Sequence, residues 1–449
     1  MILRDPVHGL VSFESAEQQI IQALLEAREV QRLRRVRQLG LTSLAYPGAD
    51  HTRFSHALGT AHVMSRYIDR IRAVSQNLPF WQRLTTERAR DALAAALLHD
   101  VGHGPFSHLF EAAMPRGPRH EDWSERIVLD EVTEVHQVLR NVDPQMPARV
   151  ASLIRGRHEL PYLAHAVSGT FDVDRCDYLL RDAHFTGVNY GRFDLDWLLR
   201  SFTLAPHQGA SSAPTLAIDG TKGLPAIESF TLARLFMFQQ VYFHKAGRTS
   251  EWLLARILDR VRSLLIDGTR LAHVPRAVAH LAREDDSPLG DYLALDDSIM
   301  WTALSGFTNE KDSVLADLSN RLLRRKLFKA YELFGQDATS EGKKRCLDVA
   351  SELAQAAGFD PEIYVGLDTP SALAFDDTND PITVVFPDGG ELRPAEVSFL
   401  LGRLKGQTLA RPRVIYPPEI RPQLLSALGK EASAHNSSTT LAGGSISHE

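Results

Sequence analysis

Seven consecutive apolar residues, Ala92-Leu93-Ala94-Ala95-Ala96-Leu97-Leu98, leave a helix no polar face to turn toward water, and they run straight into His99-Asp100-Val101-Gly102-His103-Gly104-Pro105. A helix that is apolar all round has to be buried. Its end therefore carries two imidazoles and a carboxylate into a place where unpaired polar groups are costly. His99 and Asp100 point about 100° apart on a helix, so one centre binds both only where the backbone is ending, and Gly102 permits that ending. His56 and Asp174 come from distant segments and sit at candidate helix positions, with Arg53 three residues before the first and Arg175 directly after the second. Two His and two Asp form a borderline-hard donor set, suited to a divalent cation such as Mn, Mg, Fe or Zn. Such a set leaves room for water and a substrate oxygen, as catalysis requires.

At 449 residues the chain is longer than one ordinary core accommodates, which predicts a large catalytic domain with appended pieces. Fifty basic residues against 56 acidic ones give a formal charge of −6, so no global basic field draws the protein onto nucleic acid or membrane. Cys176 and Cys346 are its 2 cysteines and offer neither a disulfide framework nor a CxxC knuckle. No stretch approaches the roughly 18 apolar residues of a membrane span, and Met1-Ile2-Leu3-Arg4-Asp5-Pro6 lacks the layout of a secretory signal. The expected location is cytoplasmic, with no membrane partner.

Apolar residues at three- and four-residue spacing (Ile20, Ile21, Leu24, Leu25; Leu33, Val36, Leu39; Leu58, Val63, Ile68) predict a helical bundle to about residue 200. Turn residues interrupt it at Tyr46-Pro47-Gly48, Gly102-His103-Gly104-Pro105 and Met114-Pro115-Arg116-Gly117-Pro118. Thr215-Leu216-Ala217-Ile218 reads as a strand or small hairpin, after which helix is predicted from Ile227 past Lys245 and again from about 250 to 360, with an acidic loop at Glu284-Asp285-Asp286. Residues 381–400 look like a hairpin around Pro387-Asp388-Gly389-Gly390, and Val414-Ile415-Tyr416 like a further strand. The expected fold is mainly α with a small mixed α/β C-terminal region: a catalytic core over 1–205, a helical extension over 206–360 completing the active site and an interface, the α/β region over 361–430, and a disordered tail over 431–449.

Around the proposed centre, His103 and His108 share the Gly- and Pro-containing loop, and His120-Glu121 is an imidazole beside a carboxylate, suited to general acid/base work near neutrality. Arg53, Arg175, Arg234 and Lys245 are cations near apolar sequence that suit phosphate oxygens. Tyr178 and Tyr242 fit packing on a sugar or base. Each of these residues alone fits a plain surface or core role equally well.

Taken together, His51-Thr52-Arg53-Phe54-Ser55-His56, His99 to His108, His120-Glu121, Asp172-Val173-Asp174-Arg175-Cys176-Asp177-Tyr178 through Asp182, and Tyr242-Phe243-His244-Lys245 resemble the HD-domain deoxynucleoside triphosphate triphosphohydrolases. The resemblance extends from Asp5-Pro6-Val7-His8-Gly9 to roughly Lys326. It implies His56, His99, Asp100 and Asp174 as metal ligands. Arg53, His103, His108, Arg175, Tyr178 and Arg234 would face the triphosphate, and Gln38, Leu39 and Asp182 the deoxyribose. Tyr242 would lie against sugar or base, a ribose 2′-hydroxyl being excluded near Leu39 and Tyr242. His120, oriented by Glu121, or His108 would handle the proton. The implied reaction is attack of water on the α-phosphorus, releasing deoxynucleoside and tripolyphosphate. The resemblance further implies a homo-oligomer, a dimer of dimers, with a dNTP activator touching Gln31 and Arg34 and an interface segment at His244 and Lys245. Phe238 and Phe243 depart from the polar residues of the vertebrate pattern, which leaves the base open. Two rival readings stand beside this one: an HD phosphohydrolase of another nucleotide phosphate ester, and a nucleotide-sensing or single-stranded nucleic-acid-binding module, against which a full ligand set argues.

Overall fold

The computed structural model describes residues 1–114, 117–205, 213–283, 286–377 and 382–429. Two compact units divide the chain, Met1–Leu327 with Thr369–Arg411, and Phe328–Asp368 with the residues from Pro412 onward. The expected tail over 431–449, the Pro115-Arg116 turn residues and Glu284-Asp285 of the acidic loop lie outside the described residues.

The first unit is built on helices Arg53–Val74, Thr86–Leu98, His120–Leu129, Met146–Ile154 and Val173–Thr186. Helix Thr86–Leu98 starts where the Thr85 hydroxyl accepts from Arg88 N, and its apolar run from Ala92 to Leu98 is fully buried, as a helix with no polar face demands. Helix Val173–Thr186 starts where the Asp172 side chain accepts from Arg175 N and ends at Gly187, whose φ of 77° only glycine adopts freely. The helical bundle expected for the first 200 residues is thus present. An antiparallel hairpin, Ile2–Asp5 with Gly9–Ser12, precedes it. Strands of four residues are too short for periodicity to register.

Thr215–Asp219 pairs antiparallel with Phe202–Ala205, as its hairpin-like sequence suggested, and parallel with Thr383–Val385, which in turn pairs antiparallel with Glu391–Leu392. That parallel pairing draws residues 369–411 into the first unit. The units therefore part after Leu327, Asp368 and Arg411, and the segment expected as one region over 361–430 is divided between them. The helix expected to run from Ile227 past Lys245 is interrupted. Leu224–Met237 passes into a π-helical turn, Phe238–Tyr242, and a new helix, Lys245–Ile266, begins with the His244 side chain accepting from Ala246 N. Widened turns of this kind are frequent at functional sites.

In the second unit Arg413–Tyr416 lies between Lys329–Glu332 and Gly366–Asp368, antiparallel to both. Helix Ser340–Ala356 supplies Cys346, Ala350 and Ala354 to a core shared with Tyr331, Leu333, Val414 and Tyr416. The architecture is mainly α-helical with this smaller mixed α/β part toward the C-terminus. Cys176 and Cys346 are both free and buried. Among the described residues, no helix is long and apolar enough to cross a membrane.

Candidate metal centre and surrounding site

Helices Arg53–Val74, Thr86–Leu98 and Val173–Thr186 bring His56, His99 and Asp174 to one point. His56 is fully buried, and its Nδ1 lies 2.8 Å from Asp177 Oδ2, which fixes Nδ1–H as the donor. His99 Nδ1 lies 2.9 Å from Ala96 O and donates likewise. Both Nε2 atoms are therefore left as lone pairs, 3.3 Å from each other. Asp174 Oδ1 stands 3.0 Å from the first and 3.4 Å from the second. Two lone pairs and a carboxylate aimed at one point repel one another unless a cation stands between them. In the absence of such a cation a proton takes its place: burial opposes charge on His56, yet hydrogen bonds to Asp174 and Asp177 outweigh it and raise its pKa to about 10, so the Nε2 lone pair becomes available only when a metal displaces that proton. The residues fit a divalent cation held by nitrogen and oxygen, with the outward Nδ1 hydrogen bonds setting the ligand tautomers. Asp100 borders this triad. Its Oδ1 is 3.4 Å from His99 Nε2 and its Oδ2 3.6 Å from His56 Nε2, while Arg53 Nη1 forms a short hydrogen bond to that same Oδ2.

The loop after Asp100 is held under strain. Phe106 and Ser107 have φ of 55° and 58°, a left-handed backbone that costs non-glycine residues of order 1 kcal/mol or more each. Phe106 N donates to Asp297 Oδ1, the Ser107 hydroxyl donates to Arg37 O and accepts from Arg53 Nε, and Tyr292 Oη donates to Gly102 O. Gly102, expected as a helix stop, serves packing instead: a Cβ there would collide with His120 O and Ser124 N.

This loop and the start of helix His120–Leu129 make a second group, His103, His108, Glu111 and His120. The His103 and His120 rings stack with centroids 3.9 Å apart. Glu111 Oε1 is 3.0 Å from His120 Nδ1, nearer than Glu121 Oε2 at 3.3 Å. Glu111 Oε2 also reaches to 3.9 Å from His108 Nδ1, whose side chain is 70% exposed. Burial raises the Glu111 carboxyl, but the neighbouring His108 and His120 imidazoles prevail and hold it ionised well below the carboxylate range. Burial and the Arg53 cation keep His103 neutral, and its Nε2, 3.2 Å from Asp100 Oδ1, joins the two groups. Glu111 stands three residues after His108 on a short helix, a common spacing that a motif built around histidines passes over.

A third set lies along helix Val173–Thr186 and the π-helical turn. Tyr242 Oη donates to Asp182 Oδ2 at 2.8 Å, and His51 Nε2 is 2.8 Å from Asp182 Oδ1. Burial pushes the Tyr242 phenol well above its usual range and raises Tyr178 to about 12, so both are neutral donors. Their rings meet edge to face, 6.4 Å apart. Gln38 N donates to His51 O, and the buried Gln38 Oε1 has no hydrogen-bond partner; Leu39 is half-buried beside it. Arg175 is bonded to Gly169 O and Asp172, and with Arg234 it lines a cavity of about 170 Å³ shared with Phe230, Phe375 and Asp376. Arg234 donates to Leu373 O and lies over the Phe238 ring.

Gln31 and Arg34 are engaged locally: Gln31 Nε2 donates to Leu25 O, Arg34 Nε donates to Gln31 Oε1, and the Arg34 guanidinium stacks 3.6 Å over Phe54. His244 packs against Tyr46, and Lys245 is exposed at the start of its helix.

The HD domain family model matches residues 53–182, the stretch that holds the triad. YwfO, an uncharacterized protein of Bacillus subtilis, is 34% identical over 426 residues, 93% of this chain and 92% of its own length. The deoxynucleoside triphosphate triphosphohydrolase SAMHD1 homolog of Dictyostelium discoideum is 31% identical over 270 residues, 57% of this chain but 48% of that protein. The crystal structure of a phosphohydrolase from Bacteroides thetaiotaomicron superposes with a TM-score of 0.76 at 28% identity, covering 93% of this chain and 99% of that one. With its His and Asp donors gathered in the same fold, this chain belongs to the HD-domain metal-dependent phosphohydrolases, in the superfamily that includes the SAM-and-HD-domain dNTPases.

Proposed function

We propose that the protein hydrolyses deoxynucleoside triphosphates to deoxynucleoside and tripolyphosphate. The observation that carries this reading is the polar set joined to Asp182, on the same helix as Asp174. Gln38 Oε1 is a buried acceptor without a donor, one backbone hydrogen bond from His51, and His51 leads through Asp182 to Tyr242. Buried acceptors are rarely left unpaired, and a sugar hydroxyl is the donor that this position suits. Leu39 and Tyr242, which the resemblance puts against the sugar, would then exclude a 2′-hydroxyl and favour the deoxy sugar. Arg53, Arg175 and Arg234 supply guanidinium groups for phosphate oxygens, and the stated activity of the Dictyostelium relative agrees with such a substrate.

A divalent cation, which His56, His99 and Asp174 would hold with Asp100 in reach, would supply Lewis acidity toward a phosphoryl oxygen and lower the pKa of water. The chain's own groups do the rest. Arg53, tied to Asp100 and Ser107, presents its charge from a fixed position. Water attacks the α-phosphorus, the bond to the 5′-oxygen breaks, and His108 or His120, held by ionised Glu111, delivers a proton to that oxygen. Assembly as a dimer of dimers, and dNTP activation through Gln31, Arg34, His244 and Lys245, belong to the same proposal.

The test is product analysis. Purified protein with Mn or Mg is given each of the four dNTPs singly and then mixed, beside a His99→Ala, Asp100→Ala double variant. Deoxynucleoside plus tripolyphosphate, lost in the variant, is the expected result, and activity in mixtures alone would add activation. Release of orthophosphate or pyrophosphate, or silence in every mixture, would move the assignment to another phosphate ester.

A further inference from the structure

We propose that His8, on the N-terminal hairpin, is a positioning residue of the metal centre, acting on the ligand His56 through Asp177. The inference rests on the reading of His56, His99 and Asp174 as metal ligands, and the mechanism above makes no use of the hairpin.

Asp177 is fully buried and its two oxygens are saturated. Oδ2 accepts from His56 Nδ1 at 2.8 Å and Arg181 Nε at 2.8 Å, while Oδ1 accepts from Arg181 Nη2 at 2.9 Å and His8 Nε2 at 2.6 Å. Arg181 is fixed in turn, its Nη1 donating to Asp5 Oδ2 at 2.8 Å. Asp5 Oδ1 accepts from Val7 N and His8 N, each at 2.9 Å, which sets the hairpin turn that carries His8. Gly9, at φ 75°, lets the chain reverse there. The hairpin and the ligand helix are thus clamped to opposite oxygens of one carboxylate.

The opposing surface is shaped for this layer. Gly59 sits inside helix Arg53–Val74, where glycine costs up to about 1 kcal/mol relative to alanine. A Cβ at that position would overlap Asp177 Oδ1 and Arg181 Nη2. Helical stability is given up so that Asp177 and Arg181 approach the His56 backbone.

The consequence for the ligand is geometric. Asp177 holds the Nδ1–H tautomer of His56 and the plane of its ring, leaving Nε2 free as a lone pair. Without the His8 contact, Oδ1 keeps Arg181 Nη2 alone, and the carboxylate, still gripped by Arg181 on both oxygens, loses the constraint that fixes its tilt against the His56 ring. Outer hydrogen-bond partners of ligating histidines typically contribute about 10- to 100-fold in metal affinity, and His8 is one step further out, so the lower end is expected.

The experiment titrates Mn²⁺ into the full-length metal-free protein by calorimetry, with melting temperature in chelator recorded for each variant. His8→Ala is expected to weaken Mn²⁺ binding about tenfold, and His8→Gln, whose amide nitrogen can donate to Asp177, is expected to restore most of it. Val11→Ala loosens the buried side of the same hairpin without touching Asp177, and it should bind Mn²⁺ like the wild type. Unchanged affinity in His8→Ala would overturn the proposal. So would equal losses in His8→Ala, His8→Gln and Val11→Ala, since the effect would then follow hairpin stability alone. Failure of the wild type to bind Mn²⁺ would instead remove the metal-centre reading on which the inference stands.

Discussion

His56 and Glu111 illustrate how single residues were read. His56 could be picked from the sequence because it sits at a candidate helix position three residues after Arg53 and matches the family motif, and the structure places it where three donors converge. Glu111 could not, because a carboxylate three residues after a histidine is common, and only the fold puts it 3.0 Å from His120 on another helix. Its role is open to direct test. Glu111→Gln keeps shape but removes the negative charge beside the proposed proton-donating imidazole, so kcat should fall roughly 10²- to 10⁴-fold with KM little changed. Steady-state kinetics would reveal this, and a change confined to KM would place Glu111 in substrate binding instead. At the proposed sugar site, Tyr242→Phe leaves Asp182 Oδ2 without its donor at a cost of about 1–3 kcal/mol in stability, read as a lower melting temperature, with a higher KM for deoxynucleotides expected beside it.

Helix Arg53–Val74 shows what an element contributes beyond its ligands. One turn and a half beyond His56 it carries His62, whose pKa burial and the neighbouring His8 and Arg66 lower to about 4. The folded-state value lies below the unfolded value of 6.5, so neutral His62 stabilises the fold above pH 6.5, and that contribution is lost as pH falls from about 6.5 to 4. Thermal melting across this window should show the decline, and His62→Gln should flatten it; identical curves for both proteins would rule His62 out as the source. The contact between the loop after Asp100 and helix His120–Leu129 depends on Gly102. Gly102→Ala should cost about 1–3 kcal/mol through overpacking, lowering the melting temperature and shifting His103 away from His120. Periodicity announced these helices because burial of one face repeats along the chain. It did not announce the π-helical turn Phe238–Tyr242 or the N-terminal hairpin, since neither extends far enough to establish a period.

Across the whole molecule the two compact units carry separate apolar cores. Val414→Ala removes buried methyl groups from the second core only and should cost about 1–3 kcal/mol there. Calorimetry is expected to show one transition move while Mn²⁺ affinity at the His56 triad stays the same; a weakened triad would show that the units are coupled. The sequence by itself determined the buried helix before His99, the donor types at His56, His99, Asp100 and Asp174, and the short strands around residues 215, 383 and 414, because each follows from local burial, side-chain chemistry or turn residues. Tertiary structure alone decided that Asp177 grips His56 and His8 together, that Glu111 and not Glu121 lies nearest His120, and that residues 369–411 return to the first unit through a parallel strand pair. Those are contacts between segments far apart in the chain, and no local pattern of residues encodes which distant partner a carboxylate or a strand edge will meet.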